Sequence, residues 1–296
     1  MQHVTTMVAY VPQPTGGKTW EDVRPFDTPG PKAYADLIFD KMTTIIDAHA
    51  DHLSQARDFA EVDANIRAGK KSVMFAVENA LAIEDSLDNI RHFANRGAVY
   101  LTLCHNGDNQ ICDSARRSQH TWGGLSPFGA DVVGEMNRLG VAVDLSHAGE
   151  NSFYDALRLS RAPVVCSHSN CKALCSSERN LTDDQLRALA KADGVCQITL
   201  YHGFLADDAS EADIIKAIDH VNHAVRIMGV EHVGLGTDFD GDGGVRGISN
   251  SSEMLQFTRH LLKQRYSDSD ISLIMGGNWR RTIECIASVK EKQAKP

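Results

Sequence analysis

Two short apolar runs, each closed by a histidine and separated by a helix-like segment, restrict this chain to very few folds. The runs are Val141-Ala-Val-Asp-Leu-Ser-His147 and Pro163-Val-Val-Cys-Ser-His168, so the two imidazoles lie 21 residues apart. Between them, Glu150 to Ser160 reads as an amphipathic helix. Near-continuous apolar strands are buried on both faces, which is the habit of parallel sheets. A strand, a crossover helix and a second strand, each strand delivering a histidine at its C-terminal end, describe one wall of a (β/α)8 barrel with a metal site.

The same pattern recurs along the chain. Val4–Val11, Ser72–Glu78, Ala98–His105, Gly194–Tyr201 and His232–Asp238 are further strand-like runs followed by helical patterns. With the histidine pair this makes seven strands, where a closed barrel needs eight. Thr44-Ile-Ile-Asp-Ala-His49-Ala-Asp51 offers itself as the eighth, because a His-x-Asp can hold a metal from a first barrel strand. The segment reads better as helix. Lys32 to Ala68 holds no glycine or proline, and Ile38, Met42, Ile45, His49, Leu53, Ala56 and Ala60 step by three and four without period-two alternation. His49 is therefore expected to be a partly buried helical histidine, and His49 and Asp51 a decoy.

At 296 residues the chain is long enough for one large α/β barrel, and a single domain over 1–296 is expected. The net charge of −9, with no basic block, argues against nucleic acid or an anionic membrane as partner. No apolar run approaches the roughly 18 residues needed to span a bilayer. Met1-Gln-His-Val-Thr-Thr lacks the layout of an export signal, so a cytoplasmic protein is expected. Seven cysteines cannot all pair. Cys104, Cys166 and Cys196 lie in apolar runs as reduced core residues, and Cys171 and Cys175 lack the second pair that a structural zinc would need.

Chemistry gathers where the barrel reading puts the C-terminal face. Glu78 ends an apolar strand, where a carboxylate needs a metal or cation to offset its desolvation. His105 ends the next strand, then come His147 and His168. Asp238 ends the last, inside Gly234-Leu-Gly-Thr-Asp-Phe-Asp-Gly-Asp-Gly-Gly, a glycine-rich mouth that permits close backbone approach. Asp240 and Asp242 read as turn residues, since a calcium loop would need a downstream glutamate. A lone histidine at a strand end is usually structural, but five polar groups at five strand ends indicate a metal site.

Asp144-Leu-Ser-His147, Pro163–Ser169, Arg179-Asn180 and Gly236-Thr-Asp-Phe-Asp-Gly241, with Val77-Glu78-Asn79 and Tyr100–Asn106 in the same order, carry a family resemblance. The chain resembles the membrane (renal-type) dipeptidase family of zinc peptidases, in its bacterial branch, from about Val4 to Ile286. The resemblance implies a (β/α)8 barrel with two zinc ions bridged by Glu78, the second of them also held by His147 and His168. It implies that His105 polarises the substrate or stabilises the tetrahedral intermediate, and that Arg179 binds the substrate carboxylate through its guanidinium fork. Asp238 would handle the proton of the attacking water, and Tyr201 would line the pocket. The implied reaction is metal-assisted hydrolysis of a short peptide with a free C-terminal carboxylate. A homodimer is compatible with the resemblance, but no interface is legible.

The sequence also departs from the family pattern. The family carries a His-x-Asp on its first strand, much farther ahead of the bridging glutamate than His49 and Asp51, which precede Glu78 by 29 and 27 residues. On that alignment the barrel is N-terminally incomplete, lacking its first strand, and the first zinc site lacks two ligands. Two other readings stay open. One is a different metal-dependent amidohydrolase acting on a cyclic amide or lactone, disfavoured because Glu78 stands where a carboxylated bridging lysine would be expected. The other is a catalytically impaired barrel with a binding or scaffold role.

Overall fold

Each apolar run of the sequence finds a parallel partner in the computed structural model, which describes residues 4–116 and 120–293. The chain forms two compact units, one of residues up to Ala162 together with those from Ile283 on, the other of Pro163–Thr282. Among the described residues no helix is long and apolar enough to cross a membrane.

The first unit runs β1 (Val4–Tyr10), α1 (Trp20–Val23), α2 (Pro31–Ala48), β2 (Leu53–Gln55), α3 (Phe59–Arg67), β3 (Lys71–Glu78), α4 (Asp88–Asn95), β4 (Ala98–Thr102), α5 (Pro127–Leu139), β5 (Ala142–Asp144) and α6 (Glu150–Leu159). β3 is its centre: Val73 to Val77 are all buried, as expected of a parallel strand covered on both faces. β1 occupies one edge of β3 from Ser72 to Glu78. The other edge is shared in tandem, β2 pairing with Lys71–Val73 and β4 taking over from Phe75. β5 then pairs with β4, bringing Thr102 opposite Asp144.

The second unit runs β6 (Val165–Cys166), α7 (Asp183–Lys191), β7 (Val195–Ile198), α8 (His202–Leu205), α9 (Ile214–Met228), β8 (Val233–Leu235), α10 (Met254–Lys263) and α11 (Asp268–Ser272), with α12 (Asn278–Gln293) divided between the units at Ile283. β7 pairs with β6 on one side and β8 on the other. α7 opens on a capping box, Thr182 accepting from the Gln185 amide while Gln185 reaches back to the Thr182 N–H. α9 buries Ala217, Ile218, Val221, Ala224 and Met228 along one face.

Thr44–Ala48 is helical, as the sequence predicts, but the details of that segment differ. The buried face of α2 is Ala35, Phe39, Met42 and Ile46, with Ile45 48% exposed, one residue out of phase with the expected stripe. Phe39 decides the phase, because its ring packs against Phe75 at 5.1 Å and Phe93 at 5.7 Å. His49 is the C-cap and exposed rather than partly buried, and Asp51 is exposed as well. The helix does not continue to Leu53. Instead the Lys71 amide bonds the His52 carbonyl and the Ala56 amide bonds the Val73 carbonyl, drawing three residues onto β3 as the strand absent from the seven runs.

Candidate active site

Glu78 is the last residue of β3, and His105 and His147 each lie three residues beyond the end of a neighbouring strand. Their ligating atoms all fall within 4.8 Å of one another. His147 Nε2 lies 3.1 Å from Glu78 Oε1, and His105 Nε2 lies 3.9 Å from the same oxygen. The two imidazole rings are 4.2 Å apart. His147 is the more enclosed, its side chain 5% exposed against 17% for His105 and 15% for Glu78.

The loops that present these groups are pinned by buried polar side chains. Asp144 is fully buried, accepting from the Thr102 hydroxyl at 2.6 Å and from the Ser146 amide at 3.1 Å. That fold of the chain sets His147 in a left-handed conformation, φ 72°. Asn79, at φ 73°, is likewise fully buried. Its amide donates to the Val11 carbonyl and Gln13, and its carbonyl accepts from the Leu81 amide and Asn109. Asp238, in the second unit, is left-handed too, φ 58°. For residues with a Cβ this conformation costs about 1–2 kcal/mol each, and its concentration beside strand ends is typical of functional loops.

The donor set fits a zinc ion. Around a tetrahedral ion with bonds of 2.0–2.1 Å, neighbouring ligand atoms stand about 3.3 Å apart. The His147–Glu78 separation meets that spacing. Asn106 Oδ1 lies 3.1 Å from His147 Nδ1, an acceptor that holds the ring proton there and turns the Nε2 lone pair toward the carboxylate. Two lone pairs facing each other at 3.1 Å call for a cation or a proton between them. A second acidic group, Asp108, Asp113 and His120, has similar spacing but different employment. Asp108 accepts from the Ser114 and Thr121 amides, and Asp113 from those of Thr121, Trp122 and Gly124. Those carboxylates shape the loop after β4.

The second unit brings together His168, Arg179 and Tyr201. Arg179 is 2% exposed, donates to the His168 carbonyl at 3.1 Å, and lies over the Phe204 ring at 5.0 Å. Tyr201 packs on the same Phe204, ring centroids 4.6 Å apart. The loop holding His168 and Arg179 is fastened at three points. Asn170 donates to the Thr199 and Phe204 carbonyls, Asn180 to those of Cys175 and Phe204, and the Cys171 amide donates to His220 Nδ1 on α9. Burial pushes the Cys171 thiol up to about 12, as befits a core residue.

Asp238 sits three residues past β8, its carbonyl accepting from the Gly241 and Gly243 amides. A Cβ on Gly243 would lie 2.2 Å from the Thr237 carbonyl oxygen, and one on Gly236 would lie 1.9 Å from that of Ser167. The glycine-rich mouth thus serves close backbone approach, as the sequence suggests. Three contributors escape the sequence reading: Asn106 behind His147, Phe204 under Arg179, and Tyr10, whose ring meets His105 at 4.7 Å. Tyr10 had a usable signal, as the next-to-last residue of the predicted strand Val4–Val11.

Comparison with known proteins places this geometry in context. The signature of the membrane dipeptidase family (peptidase family M19) matches residues 32–296. A dipeptidase of Clonostachys rogersoniana, verJ, is 35% identical over 86% of this chain and 65% of its own length. The chain spans 55–65% of the length of five curated relatives that it matches. A Rhodobacter sphaeroides metallopeptidase, solved with a phosphinate mimic of L-Ala-D-Ala, superposes with a TM-score of 0.83 at 27% identity, covering 95% of this chain and 86% of its own. A further dipeptidase of peptidase family M19 superposes with a TM-score of 0.84 at 27% identity, over 96% of this chain and 85% of that one. The fold class is the expected one, parallel α/β of the barrel type found in these hydrolases.

Proposed function

Because the chain belongs to the membrane dipeptidase family, we propose that it is a zinc-dependent dipeptidase acting on peptides with a free C-terminal carboxylate. The observation that carries this reading is the convergence of Glu78, His105 and His147 at the ends of three strands, with a spacing that suits zinc. Bound zinc supplies Lewis acidity, polarising a carbonyl and making water acidic enough to act as a nucleophile near neutral pH.

The chain's own residues then have distinct tasks. Glu78 and His147 hold the ion, with Asn106 fixing the His147 ring so that Nε2 points inward. His105 is more open and farther from Glu78, which suits an imidazole whose N–H donates to the substrate's carbonyl oxygen. In the second unit the family resemblance assigns His168 as a further imidazole ligand and Asp238 as the group that takes the water proton and passes it to the leaving amine. Arg179 holds the C-terminal carboxylate, its guanidinium kept in place by the His168 carbonyl and the Phe204 ring, and Tyr201 lines the pocket. Anchoring that carboxylate limits substrates to very short peptides.

The test is elemental analysis of the purified protein together with hydrolysis of a dipeptide panel that includes L-Ala-D-Ala. Stoichiometric zinc is expected, with turnover abolished by chelation and restored by zinc. Arg179→Lys should raise KM for dipeptides more than it lowers kcat, since the ammonium cannot make the two-pronged contact. A protein that takes up no zinc and cleaves nothing in the panel would end this reading.

A further inference from the structure

Tyr10 closes β1 and is the register partner of Glu78 on the adjacent parallel strand. Residues paired in this way project to the same face of the sheet, so the phenol stands beside the Glu78 carboxylate. Its ring meets His105 edge-on, with centroids 4.7 Å apart and planes at 63°. The residue is nonetheless 41% exposed. A tyrosine kept only for packing would bury its ring against the apolar core, as Tyr34 does at 5% exposure. Tyr10 instead rests on the histidine that faces the substrate and leaves a rim open. A phenol keeps its proton near neutral pH, so this hydroxyl is a donor and not a base.

We propose that Tyr10 is a second hydrogen-bond donor, beside His105, to the substrate carbonyl oxygen as that oxygen becomes negative. This rests on the dipeptidase reading above. As the water oxygen bonds to the carbonyl carbon, the π pair moves onto the carbonyl oxygen, and the Tyr10 O–H bonds to that oxygen without giving up its proton. No oxidant, reductant or added group is required. A donor aimed at developing charge acts on the transition state more than on the bound substrate, so its loss falls on kcat. Because Tyr10 is partly exposed, water can replace some of the lost bond, and the effect belongs at the low end for such donors.

The experiment compares the unmodified zinc-loaded protein with Tyr10→Phe, which keeps the ring on His105 and removes only the hydroxyl. Dipeptide turnover, affinity for a phosphinate dipeptide mimic, zinc content and melting temperature are measured on both. A fall in kcat of about 10- to 100-fold is expected, with KM within about twofold and the phosphinate bound more weakly by a similar factor. Zinc content and melting temperature should not change, which separates a lost donor from a damaged fold. Unchanged kcat, or a rise confined to KM, overturns the proposal while leaving the dipeptidase reading intact. If the unmodified protein neither turns over dipeptides nor binds the phosphinate, that reading fails and this inference with it.

Discussion

Lowering the pH should loosen the second unit through one buried histidine. His220 is fully buried on α9, its Nδ1 accepting from the Cys171 amide and its Nε2 donating to the Leu205 carbonyl at 3.1 Å. Both nitrogens are thus committed to the neutral ring. Burial, with smaller pushes from His223 and Lys216, lowers its pKa from 6.5 to about 4 despite the bond to Leu205. The unfolded chain takes up this proton below about 6.5 and the folded chain only below about 4, so stability falls as pH drops through that window. Linkage gives a loss of about 2 kcal/mol between pH 7 and pH 5 from this residue alone. His220→Gln isolates the effect, because an amide can accept from Cys171 and donate to Leu205 but does not titrate. Denaturant unfolding of both proteins at pH 7 and pH 5 is the assay. The variant should be the less stable at pH 7, and the gap should narrow by about 2 kcal/mol at pH 5. A gap that stays constant between the two pH values would refute the argument.

Asn106→Ala should weaken zinc binding about tenfold in a chelator competition, near the low end for an outer partner of a ligand because exposed Asn106 is readily replaced by water. Asn106→Asp should bind zinc at least as tightly as the unmodified protein. Gly243→Ala would drive a Cβ into the Thr237 and Asp238 carbonyls, so a lower melting temperature and a roughly hundredfold loss of turnover are expected. Asp36 is half-buried, which opposes its charge, but bonds from His92, Lys32 and Arg96 outweigh that and lower it to about 2. Its contribution is present above pH 3.8 and fades as pH falls through 2. Asp36→Asn should therefore cost about 1–2 kcal/mol at pH 7, after allowance for solvent screening, and little in acid.

The strands that carry the site were legible because a parallel strand buried on both faces leaves a run of apolar residues that few other structures need. Val73 to Val77 is the clearest case. β2 was illegible for the opposite reason: its three residues are only partly buried and its pairing depends on the distant Lys71–Val73. The phase of α2 could not be read because Ile38 and Ile45 are as apolar as Phe39 and Ile46, and only the rings of Phe75 and Phe93 decide between them. Among the site residues, Glu78, His105 and His147 were visible as polar groups ending apolar runs. Asn106 was hidden because an exposed asparagine after a strand looks like any turn residue, and its bond to His147 bridges 41 positions.

The left-handed backbone at Asn79, His147 and Asp238 has a bearing on how this protein would respond to selection. Glycine would relieve about 1 kcal/mol at each position, so a search for heat resistance alone is drawn toward it. At Asn79 the pull is cancelled, because the side chain's bonds to Val11, Gln13, Leu81 and Asn109 would vanish with it. On the proposed function, the opposing cost at His147 would fall on the metal centre rather than on the fold, and at Asp238 on proton transfer. Variants enriched for ruggedness without a simultaneous demand for turnover should therefore shed chemistry at 147 and 238 while keeping the asparagine between them in purpose, the one that holds the frame.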